Sequence, residues 1–239
     1  MRLLAVETST LTGAVALLEA GTLVGESRLN VALTHGERLL QAVDALLAAA
    51  RWRLADVEAL AVAVGPGSFT GLRVGIGTMK GLAFATGKLL VGVPTLDALA
   101  WTLPFAAYPV CPMLDAKKGE VYTALYRTLS GRLERLSPYR AVDPQVLADE
   151  LAHDAGGPVV FVGDGVAPFE RVLTSALGAA ACFAPPAHRL PSAASVGALA
   201  QLALDRGETV DPAALVPLYI RRSEAELARE RRQHVGHPH

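Results

Sequence analysis

The sequence predicts an α/β protein built twice over, in two lobes, and three observations carry that prediction. Short apolar strands alternate with amphipathic helices along the 239 residues, which calls for a sheet at least partly parallel. A strand ending in an acid, a polar turn and a second strand occurs twice, once at residues 3–6 with Glu7 and once at 110–114 with Asp115. Between the copies, Pro104, Pro109 and Pro112 punctuate the chain. We therefore expect an N-terminal lobe over 1–104, a C-terminal lobe over 105–220 and a charged tail over 221–239.

The elements follow in order. Residues 3–6 form a strand that runs into a Glu7-Thr8-Ser9-Thr10 turn, and 14–18 and 22–28 form a hairpin about Glu19-Ala20-Gly21. Thr34 and Glu37 have the spacing of a capping box, and the helix they open sets Leu39, Leu40, Val43, Leu46 and Leu47 on one stripe. Residues 60–64 are a strand leading to Gly65-Pro66-Gly67 and a helix to about Thr86. Residues 89–93 are another strand, with a helix from Pro94 to about Leu103. In the second half, 110–114, 121–127, 133–136 and 139–142 read as strands, and Asp143-Pro144 starts a helix. Residues 159–162 are a strand before Gly163-Asp164-Gly165 and a further helix near 168–175. Residues 192–206 form an amphipathic helix able to pack back on the first lobe, and 215–220 are strand-like.

Bulk properties narrow the function. Hydrophobic residues make up 51% of the chain, enough for a sizeable core, and a net charge of -1 gives no basic field for an autonomous nucleic-acid binder. Cys111 and Cys182 lie in apolar surroundings without metal-ligand spacing and read as buried thiols in a reducing compartment. Glu7 interrupts the first apolar run, so no signal peptide is expected. The longest uncharged stretch, 98–114, holds three prolines and is too short to span a bilayer. The expectation is a soluble cytoplasmic protein with no membrane partner.

The glycine-rich stretch over 61–77 is the most informative segment. Gly75, Gly77 and Gly81 lie inside a helix, where each costs roughly 1 kcal/mol against alanine. Close approach of another backbone or a ligand is the usual reason to keep such residues. The Gly65–Gly71 loop lacks the Gly-Lys-Ser/Thr of a P-loop, and Ser68 lacks the flanking glycines of a nucleophile elbow. Glu7 and Asp115 are placed either to flank a nucleotide phosphate and its metal between lobes or simply as polar strand ends. Gly163-Asp164-Gly165 reads either as a phosphate or adenosine cradle or as an ordinary strand-to-helix turn. His35 has Leu39 one turn on, so a two-histidine metal site is not formed and no metal ligand set is expected. In the tail, arginines interleave with glutamates, which reads as a solvated helix face or as a contact to RNA phosphates.

Five segments together resemble the TsaB (YeaZ) family: residues 1–10, Thr34-His-Gly-Glu-Arg-Leu-Leu, Gly65-Pro-Gly-Ser-Phe-Thr-Gly-Leu-Arg-Val-Gly-Ile-Gly, Asp115-Ala-Lys-Lys-Gly-Glu-Val-Tyr and Pro217-Leu-Tyr-Ile-Arg. The resemblance implies an actin/hexokinase/acetate-kinase-like fold, which agrees with the duplicated lobes. It further implies a non-catalytic partner of TsaD, working with TsaE in N6-threonylcarbamoylation of the adenosine beside the anticodon of tRNAs reading codons that start with A. Its partner face would be the helices after Thr34 and Gly71, bearing His35, Leu39, Val43, Leu46, Gly71, Arg73, Val74, Gly75, Gly77, Met79 and Gly81. Without TsaD the same face would pair two copies, and tRNA would be met only through the complex. Glu7, Thr8, Asp115, Gly163, Asp164 and Gly165 would be a vestigial nucleotide cleft. Glu7 is one methylene longer than the Asp usual there, so no nucleotide is expected to bind strongly to this chain alone, with ATP or ADP left to the complex. The rival readings are a small-molecule kinase using Glu7 and Asp115 around Mg-ATP, a protease, and a structural homodimer with another partner. No His-Glu-x-x-His motif or triad spacing supports the protease.

Overall fold

In the computed structural model, residues 1–30, 35–129, 131–154 and 156–220 are described. The capping box at Thr34 and Glu37, the side chain of His35 and the tail over 221–239 lie outside the described residues.

Two sheets repeat one plan. In the first, β1 (Arg2–Glu7), β2 (Thr12–Glu19) and β3 (Thr22–Asn30) form an antiparallel meander, while β4 (Ala59–Gly65) and β5 (Leu89–Pro94) run parallel to β1, in the order β3-β2-β1-β4-β5. In the second, β6 (Val110–Asp115) takes the place of β1 and β7 (Val121–Thr123) that of β2. There β10 (Arg140–Val142) lies at the edge, and β11 (Val159–Val162) and β12 (Ala181–Phe183) run parallel to β6. Each sheet therefore has a parallel half buried on both faces. The fully buried sequence of β4, Ala-Leu-Ala-Val-Ala-Val-Gly, is what such a position selects.

The expected single strand over 121–127 is broken. After Thr123 the chain leaves the ladder for two residues and resumes as β8 (Tyr126–Leu129), which pairs with Val110 of β6 and with β9 (Arg132–Arg135). The break is satisfied from elsewhere: Leu125 N–H donates to Ser137 Oγ at 2.8 Å, and Leu136 N–H donates to the Leu125 carbonyl at 2.7 Å. The strand-like segment over 215–220 is extended but joins no ladder. Its Leu218 N–H donates to the Val64 carbonyl at 2.7 Å, which ties the end of the described chain to β4.

Helices α1 (His35–Ala49) and α2 (Phe69–Thr86) cover one face of the first sheet, burying Leu39, Val43, Leu72, Ile76 and Met79 against Leu4, Val6 and Leu60. The other face is covered by α6 (Ala193–Asp205), which comes from late in the chain and packs on β1, β2, β4 and β5. Helices α4 (Pro144–Asp154) and α5 (Val166–Leu177) cover the outer face of the second sheet.

The linking helix α3 (Thr95–Ala100) belongs to both halves. Ala98 packs with the first sheet and α6, whereas Leu96, Leu99 and Ala100 pack with Val110, Leu114 and Tyr126 of the second. Its Asp97 Oδ1 accepts hydrogen bonds from Tyr126 Oη and Tyr139 Oη, both at 2.7 Å. A boundary drawn at 104 thus follows a helix already committed to the second core.

Candidate functional site

The acid-bearing strand ends and the glycine loops meet between the sheets. At the first strand end, the Glu7 side chain is completely buried. Its Oε1 accepts from the Ser9 N–H, while Oε2 and the neighbouring Ser9 Oγ are buried without a hydrogen-bond partner. Burial pushes the Glu7 carboxyl up to about 7; Ser9 opposes the rise and the negative charge of Asp164 adds to it.

The Glu7–Thr10 turn is clasped by the loop after β4. Ser68 N–H donates to the Ser9 carbonyl at 2.6 Å, and Thr8 Oγ1 donates to the Gly71 carbonyl at 2.8 Å. Gly67, with φ of +157°, lies against the Ser9 carbonyl so closely that a Cβ would collide with it. Gly75, on α2 one turn after Gly71, is crowded likewise by the Thr8 hydroxyl. Ser68 caps the helix, its Oγ accepting from Gly71 N–H at 3.3 Å.

At the second strand end, the Asp115 carboxylate accepts from Lys117 N–H and Lys117 Nζ, each at 2.7 Å. Burial raises this carboxyl, but the lysine outweighs it and the net shift is downward. Asp164 Oδ1 accepts from the Asp115 N–H at 3.2 Å, and burial holds the Asp164 carboxyl above its usual range. Gly163 and Gly165 both pack on the backbone of Met113, and Gly165 N–H donates to the Met113 carbonyl at 3.0 Å. So Glu7, Thr8, Asp115 and Asp164 do come together, and Gly163 and Gly165 serve the chain's own strand packing. The arrangement fits a magnesium nucleotide poorly. Glu7 is sealed from solvent, Asp115 is held by lysine, and the Ser9 N–H and carbonyl are already bonded.

The residues expected at the partner face divide. Leu39, Val43, Gly71, Gly75 and Met79 are buried within the chain and pack on its own sheet and turn. Leu46 reaches Gly25 of β3, and Val74 packs against the first core. Arg73, Gly77 and Gly81 are exposed at successive four-residue steps along α2, and a Cβ on either of these two glycines would meet nothing. Phe84, 64% exposed, follows three residues on. At the head of this stripe Arg73 stands over the Phe69 ring at 3.7 Å and donates from Nε to Tyr219 Oη at 3.3 Å. Sequence reasoning missed Gly67 and Ser9 as the clasp, and missed Lys80, whose Nζ donates to the Leu215 carbonyl at 3.0 Å and secures the returning segment. The Gly-Pro-Gly run was the signal for the clasp.

Comparison with known proteins places this geometry. The family described as TsaD, tRNA N6-adenosine threonylcarbamoyltransferase, matches residues 29–229. The Bacillus subtilis tRNA threonylcarbamoyladenosine biosynthesis protein TsaB is 32% identical over 228 residues, covering 95% of this chain and 96% of the relative. The chain belongs to the TsaB (YeaZ) family. The Escherichia coli TsaB is 36% identical over 69% of this chain and 72% of its own length. YeaZ from Pseudomonas aeruginosa superposes with a TM-score of 0.78 at 31% identity, covering 91% of this chain and 99% of that one. A ROK hexokinase from Thermus thermophilus shares the fold alone, with a TM-score of 0.50 at 13% identity over 87% of this chain and 100% of that one. The actin/hexokinase-like architecture expected of the TsaB family is therefore present.

Two predictions follow from the geometry of this TsaB-family site. Gly75→Val drives a side chain into Thr8 and should lower stability by about 2 kcal/mol or more, whereas Gly77→Ala should raise it by about 0.5–1 kcal/mol through helix propensity. Urea unfolding of both variants checks this, and equal effects at the two positions would contradict it. Glu7 binds its proton more tightly folded than unfolded, so its contribution is full below pH 4.5, falls as pH rises to about 7 and is flat above. Glu7→Gln should therefore stabilise the protein at pH 8 by about 3 kcal/mol and have little effect at pH 4. A variant-minus-parent difference that does not change with pH would contradict the assignment.

Proposed function

We propose that this chain is a non-catalytic subunit that pairs with TsaD and, with TsaE, supports N6-threonylcarbamoylation of the adenosine beside the anticodon in tRNAs reading codons that start with A. The observation that carries the reading is the open stripe of Arg73, Gly77 and Gly81 on α2, in a chain that belongs to the TsaB family. Small residues let a facing helix approach closely, and each exposed glycine weakens its helix unless something is gained by contact. The poor fit of the Glu7 and Asp115 region to a magnesium nucleotide supports a role without chemistry of its own and counts against the small-molecule kinase.

In this reading TsaD takes the α1/α2 face, a second copy takes it when TsaD is absent, and tRNA is met only through the complex. Any ATP or ADP is held by the assembly rather than strongly by this chain, and the compartment is the cytoplasm. No helix among the described residues is long and apolar enough to cross a membrane.

The test is threonylcarbamoylation of tRNA in vitro with TsaD, TsaE, threonylcarbamoyl-adenylate and ATP, with and without this chain, beside TsaD-only and chain-only controls. Modification should require both proteins. Gly77→Leu with Gly81→Leu should melt no lower than the parent and reduce the stimulation by about tenfold or more, as expected for a bulky intrusion at an interface centre. Equal modification without the chain, or turnover by the chain alone, would overturn the reading.

A further inference from the structure

A cavity of about 380 Å³ opens where three parts of the chain converge: the β2–β3 hairpin, the residues after α3, and the segment over 187–198 that enters α6. It lies on the α6 side of the first sheet, on the face opposite α1 and α2 and away from Glu7 and Asp115. Its size falls within the range of small-molecule sites, which are mostly apolar with a few placed polar groups.

The lining mixes apolar and polar surface in about equal parts. Leu18, Leu23, Trp101 and Leu190 supply apolar wall, and the Trp101 indole offers an aromatic face. Among the described residues, the ionisable lining groups are Arg28 and His188, with no Asp or Glu. Among the described residues Arg28 is held by Nη2 to Glu26 Oε2 at 2.8 Å, which uses one of its five N–H donors. Glu26 is in turn fixed by Ser192 Oγ at 2.8 Å and Ala194 N–H at 3.2 Å, so the guanidinium is anchored to the start of α6. A guanidinium held in this way, in a cavity that an indole also lines, suits a planar anion better than a cation or a neutral polar ligand.

We propose that this cavity is a binding site for a small aromatic monoanion, its ring against Trp101 and its carboxylate or equivalent acid group on Arg28. A ligand there would touch both the first lobe and the residues that leave α3 for the second, without crossing the α1/α2 face. The site is independent of the proposed pairing with TsaD.

The probe is 2-naphthoate, titrated into the full chain by calorimetry, with the neutral 2-naphthamide as comparator. One saturable site is expected, with the amide about tenfold weaker or worse for want of the charge-assisted contact. Arg28→Gln should weaken naphthoate by a similar factor. Leu23→Glu, a change at a half-exposed lining position that tolerates a polar residue, should do the same by placing a like charge in the cavity. Phe84→Ser, on the opposite face, should leave binding unchanged. Absence of saturable binding, equal affinity for acid and amide, insensitivity to both cavity variants, or loss of binding in Phe84→Ser would each overturn the proposal.

Discussion

The clasp between the Glu7–Thr10 turn and the loop after β4 is the constraint on which the rest of the molecule depends. Ser9 is bonded through its carbonyl to Ser68, Thr8 through its hydroxyl to Gly71, and Gly67 and Gly75 are glycines because the turn occupies the space a side chain would need. These contacts place α2 over β1 and set which of its faces is buried. Once Leu72, Ile76 and Met79 face the sheet, Arg73, Gly77 and Gly81 must face outward. The same clasp and the Glu7 carboxylate take up the Ser9 carbonyl and N–H within the chain. The filled turn beside Glu7 and the exposed glycine stripe are thus two consequences of one packing arrangement.

The two lobes are bound by side-chain chemistry as well as by the chain crossing. Asp97, on the linking helix, gathers the hydroxyls of two tyrosines from the second lobe, and Tyr126 is fully buried. Removing that carboxylate would leave the buried Tyr126 hydroxyl unsatisfied, which costs more than the hydrogen bond gains on average. On the far side, α6 and the extended segment ending at Leu218 return the chain to the first sheet. The lobes are therefore coupled at the linking helix, and the last described residues are anchored beside the loop that forms the clasp.

The repeated strand–acid–turn could be read directly, because buried parallel strands leave apolar runs and the acids mark where those runs end. The core stripe of α1, with Leu39, Val43 and Leu47, was equally plain from its spacing. The break at Ala124 and Leu125 was not, since apolar residues continue through it and the backbone groups it frees are satisfied by residues 136 and 137, which no local pattern announces. Gly75 and Gly77 look alike in sequence, yet one is filled by Thr8 and the other faces open space. A missing side chain does not say which neighbour occupies its place. Asp97 was passed over for a related reason: its partners lie 29 and 42 residues away. Gly163 and Gly165 were open to a ligand reading until Met113 was found against them.

The proposed role rests on the turn beside Glu7 being filled by the chain itself and on α2 offering an outward face to TsaD. Calorimetric titration of the isolated chain with Mg-ATP, beside isolated TsaD, tests the closure most directly. The account predicts no saturable binding to this chain at concentrations that saturate TsaD. Binding of comparable strength, lost on substitution of Asp115, would show the turn to be open and return the chain to the nucleotide-using members of its fold.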